Sequence, residues 1–161
     1  MATDLHRNDL GRIAVTGSVR VLGEPRVVGG RTVWSRVSEV VARRDPATTL
    51  DAIARAVLPC GSVTGAPKVR AMEIIAELEP SRRGAYTGAF GYLSRGNDLV
   101  LAMAIRALEV TGRRWGRFGT GGGIVADSDP LREVEETRWK AAQLAALFSG
   151  AAKLSATSRI R

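Results

Sequence analysis

Glu133, Glu136 and Lys140 are spaced i, i+3 and i+7, which puts all three on one face of a helix. Two carboxylates with an ammonium one turn further on can hold a hard divalent cation beside an anionic substrate. Mg2+ ordinarily takes one or two protein carboxylates and completes its shell with water and ligand oxygens. The commoner use of such spacing is a solvated helix braced by salt bridges, and Arg132, Glu135 and Arg138 read as that outer face. The run Gly119-Thr120-Gly121-Gly122-Gly123 lies just ahead. Residues without side chains let a ligand approach consecutive backbone N–H groups, which can cradle an anion.

Arg106 interrupts the apolar run LVLAMAIRAL. Facing a core it needs a paired anion; facing a cleft it makes a bidentate carboxylate clamp. PCGSVTGAPK (59–68) is a second glycine-bearing loop, with Ser62 as a hydrogen-bonding candidate, and Tyr86 opens the next strand. Neither glycine stretch matches a dinucleotide fingerprint or a phosphate loop, since the first does not open a helix at the required distance and the second lacks G-K-[ST]. Together these residues describe a Mg2+-dependent pocket for a small dicarboxylate.

The elements that must position them follow from periodicity and punctuation. The first 30 residues read as loop with a short strand over 18–22, and Thr32–Arg43 as a strand rich in β-branched residues. Thr49 caps a helix running to about Leu58. Thr64 or Gly65 caps another, with Pro67 in its first turn, that ends near Pro80. Tyr86–Ser94 and Asp98–Val110 read as strands joined by the turn Arg95-Gly96-Asn97, with Trp115–Gly119 completing an antiparallel meander. Ser128 or Asp129 caps the last helix, which reaches about Phe148, and residues 149–161 read as a flexible tail. The succession predicts an α+β fold, an antiparallel sheet flanked by helices.

Composition bounds the class of function. In 161 residues, 24 basic and 16 acidic side chains give a net charge of +8, and arginine supplies 21 of the cations. They are scattered, and aromatics are only 5%, too few for a base-stacking platform, so nucleic-acid binding is not the expectation. One cysteine and one histidine exclude a disulfide framework and a multi-imidazole metal site. No apolar stretch is long enough to span a bilayer and no signal-peptide core opens the chain, which predicts a cytoplasmic protein without membrane partners.

Four ordered segments, GSVTGAPKVRAMEIIAELEP, RRGAYTGAFGYL, AIRAL and GGGIVADSDPLREVEETRWKA, together with DLHRNDLGR and GSVRV near the start, resemble the chorismate-binding enzymes. The likeness runs from about Asp4 to Leu147, and PCGSVTGAPK is most similar to the aminodeoxychorismate synthase component I branch. The resemblance implies the C-terminal portion of that fold over 1–148 and use of chorismate with Mg2+. The implied product is 4-amino-4-deoxychorismate, on the way to p-aminobenzoate and folate, with anthranilate as the alternative. Ammonia would come from a glutamine amidotransferase subunit. It implies Glu136 as the metal ligand, with Glu133 and Ser62 at the reacting centre. Tyr86, Arg106, Gly121, Gly122, Gly123 and Lys140 would bind the substrate.

Two departures accompany the likeness. The family histidine aligns with Ser35 in WSRVS, and a hydroxyl cannot replace an imidazole in acid–base work near neutral pH. A second metal-binding glutamate would lie upstream of Asp4. The expectation is therefore a chain that is weakly active or inactive alone, or a non-catalytic chorismate-binding remnant. Sheet edges left open are expected to promote self-association.

Overall fold

The computed structural model describes residues 2–29, 34–112 and 115–148. The expected tail at 149–161 lies outside the described residues. In chain order the elements are α1 (Ala2–Gly11), β1 (Arg20–Gly29), β2 (Trp34–Val41), α2 (Leu50–Val57), α3 (Gly61–Thr64), α4 (Lys68–Leu78), β3 (Ala89–Leu93), β4 (Leu99–Met103), β5 (Leu108–Thr111), β6 (Trp115–Phe118) and α5 (Pro130–Phe148). This is the expected α+β mixture. The chain divides into two compact units, one holding Met1–Arg82 and Thr87–Met103, the other Arg83–Tyr86 and everything from Ala104 on.

In the first unit, β1 and β2 pair antiparallel. The register slips between Leu22 and Arg26, where Gly23 has φ of +61° and Pro25 sits in a bulge that asks nothing of its missing N–H. Thr49 caps α2, its hydroxyl accepting from the Ala52 N–H at 3.2 Å. β3 and β4 form a hairpin in full register from Ala89↔Met103 to Leu93↔Leu99. Its turn is the predicted one: Asn97 takes φ of +66°, and the Ser94 hydroxyl accepts from the Gly96 and Asp98 N–H groups.

Several expectations are corrected. The chain opens on a helix, α1, where loop was expected. Its one buried residue is Asp9, and the half-buried Leu5, His6 and Leu10 beside it mix apolar with polar types, so no clear apolar period announces it. PCGSVTGAPK is not all loop: Gly61–Thr64 forms one helical turn, α3, and Pro67, not Thr64 or Gly65, stands at the N-cap of α4. Asp98–Val110 is not one strand. It breaks after Met103 into a bend where Arg106 has φ of +54°, a left-handed conformation that cannot continue a strand. Tyr86 lies in a turn, its N–H donating to the Arg83 carbonyl at 3.2 Å. Among the described residues the strands make three separate two-stranded sheets, β1–β2, β3–β4 and β5–β6, with no meander linking them.

Candidate functional site

In the second unit, the hairpin β5–β6, tied by Glu109–Arg117 at 2.9 Å, delivers the chain to the glycine run, and α5 begins eleven residues after its first glycine. Asp129 caps α5: its Oδ1 accepts from the Leu131 and Arg132 N–H groups at 2.9 and 3.0 Å. Pro130 follows at the first helical position, where no N–H is needed. The neighbouring Ser128 hydroxyl accepts from the Val125 N–H at 3.1 Å and donates to Glu133 Oε1 at 2.7 Å. One capping segment therefore starts the helix and orients its first carboxylate.

Further along α5, Lys140 Nζ stands 2.6 Å from Glu136 Oε1 and donates to the Gly121 carbonyl at 3.0 Å. The lysine is three-quarters buried while Glu136 is 52% exposed. The glycine run is wedged between this helix and Tyr86. A Cβ on Gly119 would collide with the Tyr86 ring, one on Gly121 would lie 2.9 Å from the Tyr86 hydroxyl, and one on Gly122 would lie 2.5 Å from Glu133 Oε2. Side chains are absent here because the backbone lies against neighbours on both sides. Arg132, Glu135 and Arg138 are exposed, as the outer face of an amphipathic helix should be.

Of the residues singled out from sequence, Tyr86, Gly121, Gly122, Glu133, Glu136 and Lys140 are thus gathered at one place, and Gly123 completes the run. Arg106 is in the same unit, exposed in its bend, not on a strand as expected. Ser62 belongs to the other unit, half-buried on α3, with its hydroxyl 3.4 Å from Cys60 Sγ. Ser35 is exposed on β2 opposite Val28.

Two groups escaped the sequence reading. Thr120, inside the glycine run, buries its hydroxyl with no hydrogen-bond partner. In the first unit, Lys68 Nζ is 2.9 Å from Asp9 Oδ1 and donates to the Ala56 carbonyl at 2.8 Å, while Asp9 Oδ2 accepts from the Gly61 N–H at 2.7 Å. Both side chains are almost sealed from solvent, at 8% and 5% exposure. This clamp ties α1, the end of α2, α3 and the start of α4 together, and so fixes the turn that carries Ser62. The signal was present as a lone lysine in GAPK and an aspartate in RNDLG, each unremarkable by itself.

A family model described as chorismate binding enzyme matches residues 1–146. The chain belongs to the chorismate-binding enzymes. It is 49% identical over 145 residues to anthranilate synthase component 1 of Thermus thermophilus, covering 89% of this chain and 31% of that one. Aminodeoxychorismate synthase of Streptomyces griseus is 45% identical over 151 residues, covering 94% and 21%. Among solved structures, anthranilate synthase component I from Streptococcus pneumoniae superposes with a TM-score of 0.74 at 42% identity, over 89% of this chain and 33% of that one. The chain therefore spans about a third or less of the length of these relatives. No described helix is long and apolar enough to cross a membrane.

Proposed function

We propose that this chorismate-binding chain supplies the carboxylate-binding and metal-binding side of a pocket in which chorismate is aminated. The observation that carries the reading is the joint made by Lys140, Glu136 and the Gly121 carbonyl, which brings an ammonium to the glycine run. Lys140 would trade its contact with Glu136 for a substrate carboxylate, with the N–H groups of Gly121, Gly122 and Gly123 receiving the same anion. Arg106 would clamp a carboxylate in bidentate fashion, with Tyr86 walling the pocket.

Magnesium fits this set as a partial site. Glu133 and Glu136 are one helical turn apart, and Ser128 and Lys140 each engage one carboxylate oxygen, Oε1 in both cases. No group of three metal-capable side chains occurs among the described residues, so the shell would be completed by ligand and water oxygens, the usual habit of Mg2+. Bound there, the ion would screen the substrate carboxylate and assist departure of the C4 hydroxyl. Ser128 holds the Glu133 carboxylate in orientation, and Gly122 leaves room for its second oxygen.

The PCGSVTGAPK loop favours 4-amino-4-deoxychorismate as product; the 49% identity to a protein named anthranilate synthase component 1 favours anthranilate. In either case a glutamine amidotransferase subunit would supply the ammonia. Incubation with chorismate, Mg2+ and ammonia, followed by product chromatography, separates the two. Calorimetry tests the pocket itself: Lys140→Ala should weaken chorismate binding at least tenfold, and unchanged affinity would remove the assignment. Binding without turnover would assign the chain a non-catalytic role, in keeping with serine at position 35.

A further inference from the structure

In the first unit, the turn ahead of β1 and the end of β2 form a cleft of about 500 Å3, lined by Gly17, Ser18, Arg20, Val41, Ala42 and Arg43. Backbone pairing builds it. Arg20 opens β1 opposite Val41, and the pairing continues past the strand ends. There the Val15 N–H donates to the Arg43 carbonyl at 2.9 Å, and the Arg43 N–H donates to the Ser18 hydroxyl at 3.2 Å. Gly17 turns the chain at this edge with φ of +76°, a conformation that costs glycine nothing. Arg20 and Arg43 are thus diagonal neighbours across the ladder. Such positions lie roughly 7–8 Å apart, within reach of long side chains, so two guanidinium groups serve one cleft.

No carboxylate lines it. Both arginines are exposed, and among the described residues neither guanidinium has a hydrogen-bond or ion-pair partner. Glu39, opposite Leu22 further along the hairpin, forms no ion pair with Arg20. Arg44, by contrast, commits its guanidinium to the Thr48 carbonyl at 2.7 Å. The Ser18 hydroxyl is engaged already, donating to the Val15 carbonyl at 2.6 Å while it accepts from Arg43. It braces the edge, and recognition falls to the two arginine forks.

Two like charges on neighbouring strands repel, and an anion held between them relieves the repulsion. A carboxylate, with two oxygens and one charge, suits a single fork. A phosphate monoester presents three free oxygens and a charge of about −1.5 to −2 at neutral pH, which suits two. The cleft is also of small-molecule size, a range of roughly 300–1,000 Å3, so an organic group has room beside Val41 and Ala42.

We propose that this cleft binds a small phosphate dianion, free or as a monoester, between the forks of Arg20 and Arg43. The site uses none of the residues assigned to amination and does not rest on that reading.

The test titrates the amide spectrum of the full chain with inorganic phosphate, glycerol 3-phosphate or acetate, at neutral pH and fixed ionic strength, without chorismate or Mg2+. Either phosphate compound should give saturable one-to-one shifts at the Gly17, Ser18 and Ala42 N–H groups, and the tighter of the two identifies the source as ester or free ion. Acetate should bind roughly tenfold more weakly or worse, lacking the second charge. Arg20→Ala and Arg43→Ala should each weaken phosphate binding by about tenfold or more. Arg43→Lys keeps the charge without the fork and should lose about threefold or more. Arg26→Ala, on the same hairpin opposite Val37, should leave binding unchanged. Shifts that never saturate, an equal response to acetate, or a loss at Arg26→Ala matching that at Arg20→Ala would overturn the site, leaving only the diffuse attraction of a chain with charge +8.

Discussion

Two lysine–carboxylate pairs stand in this chain, and they are built to opposite ends. Lys68–Asp9 is almost sealed, and its charges are met on several sides by the Ala56 carbonyl and the Gly61 N–H. Lys140–Glu136 is shorter, at 2.6 Å, yet its carboxylate is half in water. A buried pair that loses one member strands the other charge in low dielectric, so it acts as a fastening. A pair whose carboxylate is half in water is partly screened and worth less, so its lysine can be handed to an incoming anion at smaller cost. Burial, not distance, separates the structural pair from the one available for chemistry.

The sharpest way to break this contrast is at Lys68. Lys68→Met should cost about 3–5 kcal/mol, the range for stranding a buried charge, read by urea unfolding of the chain. Pairing it with Asp9→Leu should recover part of that loss, because the stranded carboxylate is gone; the Gly61 N–H then loses its acceptor, so recovery is incomplete. A Lys68→Met loss no larger than that of a surface substitution would erase the difference between the two pairs.

A smaller effect is expected at Thr120, within the open cluster. Its hydroxyl is buried without a partner, and such a group carries an unrecovered desolvation cost of about 1–3 kcal/mol. Thr120→Val keeps the shape and removes the orphan, so stability should rise by about 1 kcal/mol. A fall instead would show that the hydroxyl is satisfied in solution, by water or by ligand.

The smallest change in stability belongs to Lys140→Ala, within about 1 kcal/mol of the parent after allowing for solvent screening. That substitution is the one expected to damage chorismate binding, so the two lysines should trade places between the unfolding and the calorimetric experiments. A loss at Lys140 rivalling that at Lys68 would mean the second pair is also a fastening.

Much of the helical scaffold was legible. Thr49 and Asp129 are short polar residues ahead of apolar periods, and both cap as their chemistry demands. The spacing of Glu133, Glu136 and Lys140 needed only helical geometry. The opening helix was not legible, because its buried position is an aspartate whose partners lie on α3 and α4. Arg106 misled the strand reading, since nothing local signals a non-glycine residue at positive φ. The three hairpins were readable as strands, but not as separate sheets.

Local physics therefore determined α2 and α5 with their caps Thr49 and Asp129, the body of α4, the Asn97 turn and the ridge on α5, since each depends on residues within a turn or two of chain. Tertiary structure alone decided which ion pair is sealed and which leaves its carboxylate in water, and that Gly119, Gly121 and Gly122 lie against Tyr86 and Glu133. Those outcomes depend on desolvation and close approach between segments distant in sequence, quantities that no spacing along the chain encodes.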